Sequence, residues 1–170
     1  MPMKTSKNIS KIVLVLIAFA SFAYATGCSD NLGDPTATVS GRTFLLEIAA
    51  DPDSRYTGLS GRAPLLDNQA MLFIYPDSKI RNFCMRNCVY PIDIMFADAT
   101  GKIVQTYAMQ PQHDLIKQPG EADEKDWESY SSVKPIVYAL EVRGGLIKEL
   151  NIKPGDKIIL KNVIDYRRAK

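Results

Sequence analysis

Short apolar runs separated by turn chemistry dominate the chain between residues 42 and 165. In residues 44–49, Phe44, Leu46 and Ile48 fall on one side and Glu47 on the other, the alternation of a strand with one buried face. Apolar strand runs follow at 71–75, 82–85 and 92–96. Asp98-Ala-Thr-Gly101 is a turn into 102–108, so the strands on either side of it are expected to form a hairpin. The alternation returns at 136–142, with Ile136, Tyr138, Leu140 and Val142 on one side. A last strand at 157–163 follows Pro154-Gly155-Asp156, strong turn chemistry. Two brief helices are expected. One spans 53–57, capped by Asp51 or Asp53, with Pro52 in its first turn and Gly58 as its stop; the other spans 144–150. Seven short strands with two brief helices predict a mainly β domain: a compact antiparallel β-sandwich or partly closed barrel, with an α+β margin.

The segments outside this pattern divide the chain. Lys4, Lys7 and Lys11 precede an unbroken apolar run, 12–20, and then small residues, the order of a secretory leader over residues 1–27. The run is short for a membrane span, which takes about 20 residues. Two cleavage readings compete. Ala23-Tyr24-Ala25 suits cutting after Ala25. Ala25-Thr26-Gly27-Cys28 resembles a bacterial lipobox, in which the Cys28 thiol is lipidated and becomes the new N-terminus; the usual first residue is Leu. The favoured expectation is a lipoprotein anchored through Cys28, on the outer face of the inner membrane or at the outer membrane. The alternative is a soluble periplasmic or secreted protein. Residues 28–41 read as a flexible polar tether. Residues 111–134 form a long polar stretch with six acidic residues and the chain's one Trp, long enough for a loop to be functional or disordered.

Charge narrows the partners. The formal net charge is +2, and removal of a leader holding three Lys and no acidic residue leaves +2 − 3 = −1. The mature chain lacks a basic face or aromatic–basic interleaving, so nucleic acid is not an expected partner. The expected partners are the membrane, through the anchor, and an unknown small ligand or envelope protein, with the domain itself a monomer. The basic tail 166–170 reads as an exposed end that adds weak attraction to an anionic membrane.

The order of motifs from Phe44 to Leu160 resembles the bacterial and archaeal family called domain of unknown function 192. The series runs Gly58-Leu59 with Arg62, Met71-Leu72-Phe73, Phe83-x-Met85-Arg86-Asn87, Pro91-Ile-Asp93 and Gly101-Lys-Ile-Val104. It continues with Tyr130-Ser-Ser132, Leu140-Glu141 with Gly144 or Gly145, and Ile152-Lys-Pro-Gly-Asp156. The resemblance implies a compact, largely antiparallel β domain, often exported, and no established activity. Three departures stand out. Where the family carries Phe-Trp-Met-Lys-Asn-Thr, this chain has Phe83-Cys84-Met85-Arg86-Asn87-Cys88; its 111–127 stretch is longer and more acidic; and Ser60 replaces a Met.

In a straight strand Cys84 and Cys88 lie about 13 Å apart, at roughly 3.3 Å per residue, beyond a disulfide. A tight bend over 85–87 would bring them within reach, and an oxidising compartment favours the bridge, which is the expectation. Two free thiols are the alternative. A metal site is not expected, since His113 is the only histidine and two thiols without a second pair make a poor zinc signature. No cofactor is implied.

The polar residues at motif positions are Arg62, Arg86, Asn87, Asp93 and Glu141. Asp93 and Glu141 stand inside apolar strands, where an unpaired carboxylate is costly. They are expected either to form a polar pocket, with Arg62 or Arg86 gripping an anionic or hydroxylated ligand, or to hydrogen-bond one another and set strand register. His113 reads as a solvated side chain, and Trp127 and Tyr130 as anchors of the polar stretch or the lining of a sugar-binding edge. No nucleophile elbow or serine–histidine–carboxylate set is present, so no catalytic residue is assigned. The functional expectation is a non-catalytic binding or accessory module. The alternative is a small hydrolase-like enzyme using Asp93 or Glu141 with Arg62 or Arg86.

Overall fold

A computed structural model of the chain describes residues 33–112 and 126–163. The leader, Cys28, His113 and the basic tail lie outside the described residues. Among the described residues nine strands and two short helices succeed one another: β1 (Thr36–Val39), β2 (Arg42–Ala49), α1 (Pro52–Thr57), β3 (Gln69–Lys79), β4 (Asn82–Phe83), β5 (Ile92–Ala97), β6 (Ile103–Met109), β7 (Tyr130–Ser131), β8 (Ile136–Arg143), α2 (Leu146–Glu149) and β9 (Ile159–Lys161). Seven strands form one sheet, ordered β6-β5-β8-β3-β2-β1-β9, and β4 pairs with β7 in a separate ribbon. The large sheet is curled into a half-barrel, as the mainly β expectation required.

Three features depart from the sequence reading. Residues 36–39, assigned to the tether, form β1, which pairs with both β2 and β9 and buries Ala37 and Val39. Two small apolar side chains facing inward are enough for a strand once neighbours supply the ladder. The polar stretch 111–134 ends in structure, because Trp127 is buried and Tyr130–Ser131 form β7. The sheet also holds one parallel pair, β2 with β3, joined by a crossover through α1. The expected β5–β6 hairpin is present. Asp98 builds its turn, accepting from the N–H groups of Thr100 (2.8 Å) and Lys102 (3.1 Å). α1 carries the expected cap, with the Asp51 carboxylate accepting from Ser54 N at 2.9 Å and Ser54 Oγ returning to Asp51.

Alternation along the strands gives the sheet two buried faces. Ala70, Leu72 and Ile74 of β3, with Met95, Leu140 and Val142, join Phe44, Ile103, Leu146 and Ile158 inside the curl. Met71 and Phe73, with Ile94, Phe96 and Ala139, face the other way, beneath Leu59, Met85, Cys88 and Tyr130. A strand buried on both sides reads as a continuous apolar run, as β3 and β5 do.

The curl brings the sheet's two edges together at one point. Lys102, just before β6, bridges Lys157, just before β9. Ile103 N donates to Asp156 O, Gly155 N to Ile103 O and Ile158 N to Gly101 O, all at 2.8–2.9 Å. Gly101 has φ +80°, and a Cβ there would stand 2.4 Å from Ile158 O. Gly101→Ala is therefore expected to destabilise by more than about 2 kcal/mol, from left-handed strain and the backbone clash together. Urea denaturation checks this, and a loss under about 0.5 kcal/mol would show that the seam does not hold the curl.

Candidate functional site

The ribbon of β4 and β7 lies on the sheet face opposite the barrel interior. Phe83 of β4 is its anchor, with edge-to-face contacts to Phe73 (5.0 Å between centroids), Phe96 (5.3 Å) and Tyr75 (6.5 Å). After Phe83 the chain turns sharply: Cys88 N donates to Met85 O at 3.1 Å, and Asn87 takes a left-handed φ of +52°. Asn tolerates this conformation better than most residues. Gly61 N donates to Asn87 O at 3.0 Å, tying the turn to the segment after α1.

Between this turn, α1 and the ribbon lies a cavity of about 280 Å³. Its floor is the sheet, through Phe73, Tyr75 and Glu141, and its walls include Arg55, Tyr56, Phe83, Cys84, Arg86, Cys88 and Trp127. Glu141, on β8, is 5% exposed, and its partners in register are Met71 of β3 and Ile94 of β5. Among the described residues no hydrogen bond or ion pair reaches its carboxyl. Burial pushes that carboxyl up to about 8, so it is protonated at neutral pH. Trp127 is also 5% exposed, and its Nε1 is buried with no hydrogen-bond partner among the described residues.

The five polar residues singled out in the sequence do not converge. Asp93 pairs in register with Val142, and Glu141 with Ile94, so the two carboxylates stand on opposite faces of the sheet. Asp93 is 1% exposed and accepts from Ile147 N at 2.6 Å, holding the first turn of α2 inside the curl. Arg62 forms a bidentate pair with Glu47 on the surface, both N···O distances 2.5 Å, outside the cavity wall. Asn87 is exposed on its turn. Only Arg86 and Glu141 line the cavity. The expectation of one shared polar pocket is corrected by strand parity: odd and even positions of paired strands cannot face the same side.

The cavity's two arginines are already engaged. Arg86 lies over the Tyr56 ring, 3.8 Å from its centroid, and donates to Tyr56 O. Arg55 donates to Ala50 O and to Ile74 O (3.0 Å) and lies 5.2 Å from the Tyr75 ring centroid. Sequence reading missed Arg55, Tyr56 and Tyr75 as lining residues. They are contributed by α1 and the end of β3, which meet only through the crossover.

Cys84 and Cys88 both line the cavity, and both are free thiols, which corrects the expected disulfide. The bend that a bridge would need is present, but Cys88 points its Sγ back to Arg86 O at 3.5 Å instead. Burial pushes the Cys88 thiol up to about 12, with further upward contributions from Glu141 and Cys84 that outweigh the opposing Arg86. Cys84 is partly exposed. Among the described residues no group of three or more His, Cys, Asp or Glu side chains could hold a metal ion.

Residues 35–160 match the model of the family DUF192, described as an uncharacterized ACR. Two solved structures are similar. One is a protein of unknown function from Novosphingobium aromaticivorans, 30% identical, with a TM-score of 0.62, the match covering 74% of this chain and 83% of that one. The other, from Sinorhizobium meliloti and described as a "putative transcription regulator", is 27% identical with a TM-score of 0.61, covering 76% of this chain and 95% of that one. No curated protein matches.

Two measurements test this geometry. Because Glu141 holds its proton more tightly folded than unfolded, stability falls as pH rises from about 4.5 to about 8 and levels off above. The parent is expected to lose about 5 kcal/mol over that range, at about 1.4 kcal/mol per pH unit, and Glu141→Gln is expected to flatten the fall and be the more stable protein at pH 9. Parallel pH profiles of the two proteins would refute the buried, unpaired carboxyl. Iodoacetamide at pH 8 is expected to modify Cys84 at least about tenfold faster than Cys88, since the thiolate is the reacting species. Peptide mapping reads this out, and protection of both cysteines until a reductant is added would restore the bridge.

Proposed function

The chain belongs to the DUF192 family, and on that footing we propose that it is an exported, lipid-anchored envelope protein acting as a non-catalytic binding module, its small ligand seated over Glu141. The observation that carries the binding part is the cavity itself. It is close to the small end of ligand pockets, about 300 Å³, and combines aromatic walls with the Glu141 carboxyl, which has no hydrogen-bond partner among the described residues. Buried polar groups are normally paired, and exceptions mark functional sites. The export part rests on the sequence: the leader pattern at 1–27 and Cys28 behind Ala25-Thr26-Gly27. Attachment by lipid needs no spanning segment, and among the described residues no helix is long and apolar enough to cross a membrane. The near-neutral mature chain gives no support for nucleic-acid binding, so the regulator description stays with the Sinorhizobium protein.

The hydrolase-like alternative has one observation in its favour. A carboxyl protonated at neutral pH inside a cavity is what a general acid requires. It lacks the second carboxylate, because Asp93 faces the barrel interior and is engaged by α2.

Full-length protein expressed in a bacterial host separates these possibilities. Intact mass is expected to show a mature chain beginning at Cys28 with a diacylglycerol-sized increment; a lipid-free chain beginning at Thr26 would remove the anchor. The chain's one Trp lines the cavity, so its indole N–H resonance reports directly on occupancy. The small-molecule fraction of an envelope extract is expected to shift that resonance without consumption of any component. Steady consumption would make the protein an enzyme, and an unmoved resonance would leave the cavity without a ligand.

A further inference from the structure

We propose that the cavity over Glu141 takes a small organic carboxylate, its acidic group held by the Nε–Nη2 edge of Arg55 and its apolar body lying against Phe73, Tyr75 and Phe83. This rests on the reading of the cavity as a ligand site and narrows it to one chemical class.

Arg55 selects the charge. Arg42, Arg62, Arg81 and Arg143 each meet an aspartate or a glutamate. Arg55 meets none among the described residues. Both carbonyls that engage it, Ala50 O and Ile74 O, take Nη1. They fix the guanidinium and leave Nε and Nη2 without a partner among the described residues. Those two nitrogens present parallel N–H groups, the fork that grips a carboxylate through both of its oxygens. On the surface the same demand of Arg62 is met inside the protein, by the two oxygens of Glu47. The cavity floor does not cancel the Arg55 charge. Glu141 is the one carboxyl among the described lining residues, and burial keeps it protonated at neutral pH. Arg86 brings a second guanidinium to the wall, seated on the Tyr56 ring. A cation entering the cavity therefore meets like charge. A neutral ligand covers the Arg55 fork without supplying a charged acceptor, which forgoes the stronger class of hydrogen bond.

Surface and size complete the class. Phe73, Tyr75 and Phe83 bring aromatic surface to the cavity, which an apolar body covers and a bare inorganic anion leaves wet. At about 280 Å³ the cavity holds roughly nine waters' worth of volume, taking about 30 Å³ each, which suits one ring bearing one acidic group.

The test titrates the full chain with benzoate, followed on the Trp127 indole resonance. Benzamide serves as the neutral isostere, benzylamine as the cation, and inorganic phosphate as the anion without an apolar body. Benzoate is expected to shift the resonance in the millimolar range at pH 7, with the other three at least about tenfold weaker. Arg55→Gln is expected to weaken benzoate about tenfold or more, the loss of a charge-assisted pair, and Arg55→Lys to weaken it less. Raising the pH from 7 to 9 ionises Glu141, so benzoate is expected to weaken in the parent and to hold in Glu141→Gln. Tyr56, Tyr75, Cys84 and Cys88 are the other titratable side chains in the lining beside the two arginines, and a fall caused by any of them persists in Glu141→Gln. If the Arg55 variants do not fold, that pH comparison decides alone, and equal falls in the two proteins overturn the proposal. The envelope extract, divided by anion exchange, is expected to act through its retained fraction. Benzamide or benzylamine ahead of benzoate, or an extract acting only through its unretained fraction, overturns the carboxylate while leaving the cavity a binding site. Phosphate equal to benzoate overturns the apolar body. Unchanged benzoate affinity in Arg55→Gln overturns the fork. Silence towards every probe and both fractions removes the binding reading together with this one.

Discussion

The curl of the seven-stranded sheet depends on one seam, where residues 101–103 and 155–158 meet. Three backbone hydrogen bonds and the Lys102–Lys157 bridge join the lead-in to β6, one edge of the sheet, to the lead-in to β9, the other edge. The seam offsets part of the exposed-edge liability that an open sheet carries. It also wraps β1, β2, β3, β8 and β5 around a common apolar interior. Only a residue without a side chain fits at Gly101, since Ile158 O occupies the place of its Cβ. Once the sheet curls, its two faces become unequal. The inner face fills itself with strand side chains and α2, and the outer face is left to be covered by α1, the β4–β7 ribbon and the turn after β4. The cavity lies under that second cover.

Glu141 is the exception in this arrangement. Every other buried charged or polar side chain among the described residues is engaged: Asp93 receives the N–H of Ile147, and Ser132 Oγ accepts from Arg81 N and donates to Lys134 O. Glu141 instead stands between Met71 and Ile94 without a hydrogen-bond partner among the described residues, in the middle of the sheet, and burial holds its proton on. A core position occupied by an unsatisfied acid breaks a local rule without a compensating structural gain, and such exceptions concentrate at functional sites. The unpartnered Trp127 N–H reinforces the pattern. Two polar groups without a hydrogen-bond partner, Glu141 and Trp127, therefore lie on one face, where among the described residues the other buried polar side chains are engaged. Arg81 Nε is the remaining unpartnered one, and it lies over Tyr75 at the edge of the same region.

Much of the fold was legible because alternation is a local property. Phe44, Leu46 and Ile48 on one side of β2, the Asp98–Gly101 turn and the Asp51 cap of α1 each follow from a few adjacent residues. Short elements were not legible for the same reason. β1 carries only Ala37 and Val39 as inward residues, and β7 only Tyr130 and Ser131, too little for a periodic signal; each exists because a longer partner supplies its ladder. Arg62 and Arg86 look equivalent as motif arginines, yet a surface carboxylate, Glu47, takes one and the Tyr56 ring takes the other.

The sequence by itself determined the fold class, the family and the residue types available for chemistry, since periodicity, turn residues and motif order are written along the chain. Which of those residues share a site was decided by tertiary structure alone. Strand register sends Asp93 and Glu141 to opposite faces, and the crossover after β2 carries Arg55 and Tyr56 to Glu141, more than eighty positions away. The turn at 85–88 sets Cys88 against a backbone carbonyl rather than against Cys84. Side-chain parity is fixed only when strands pair, and pairing between distant segments leaves no mark in the local pattern of either.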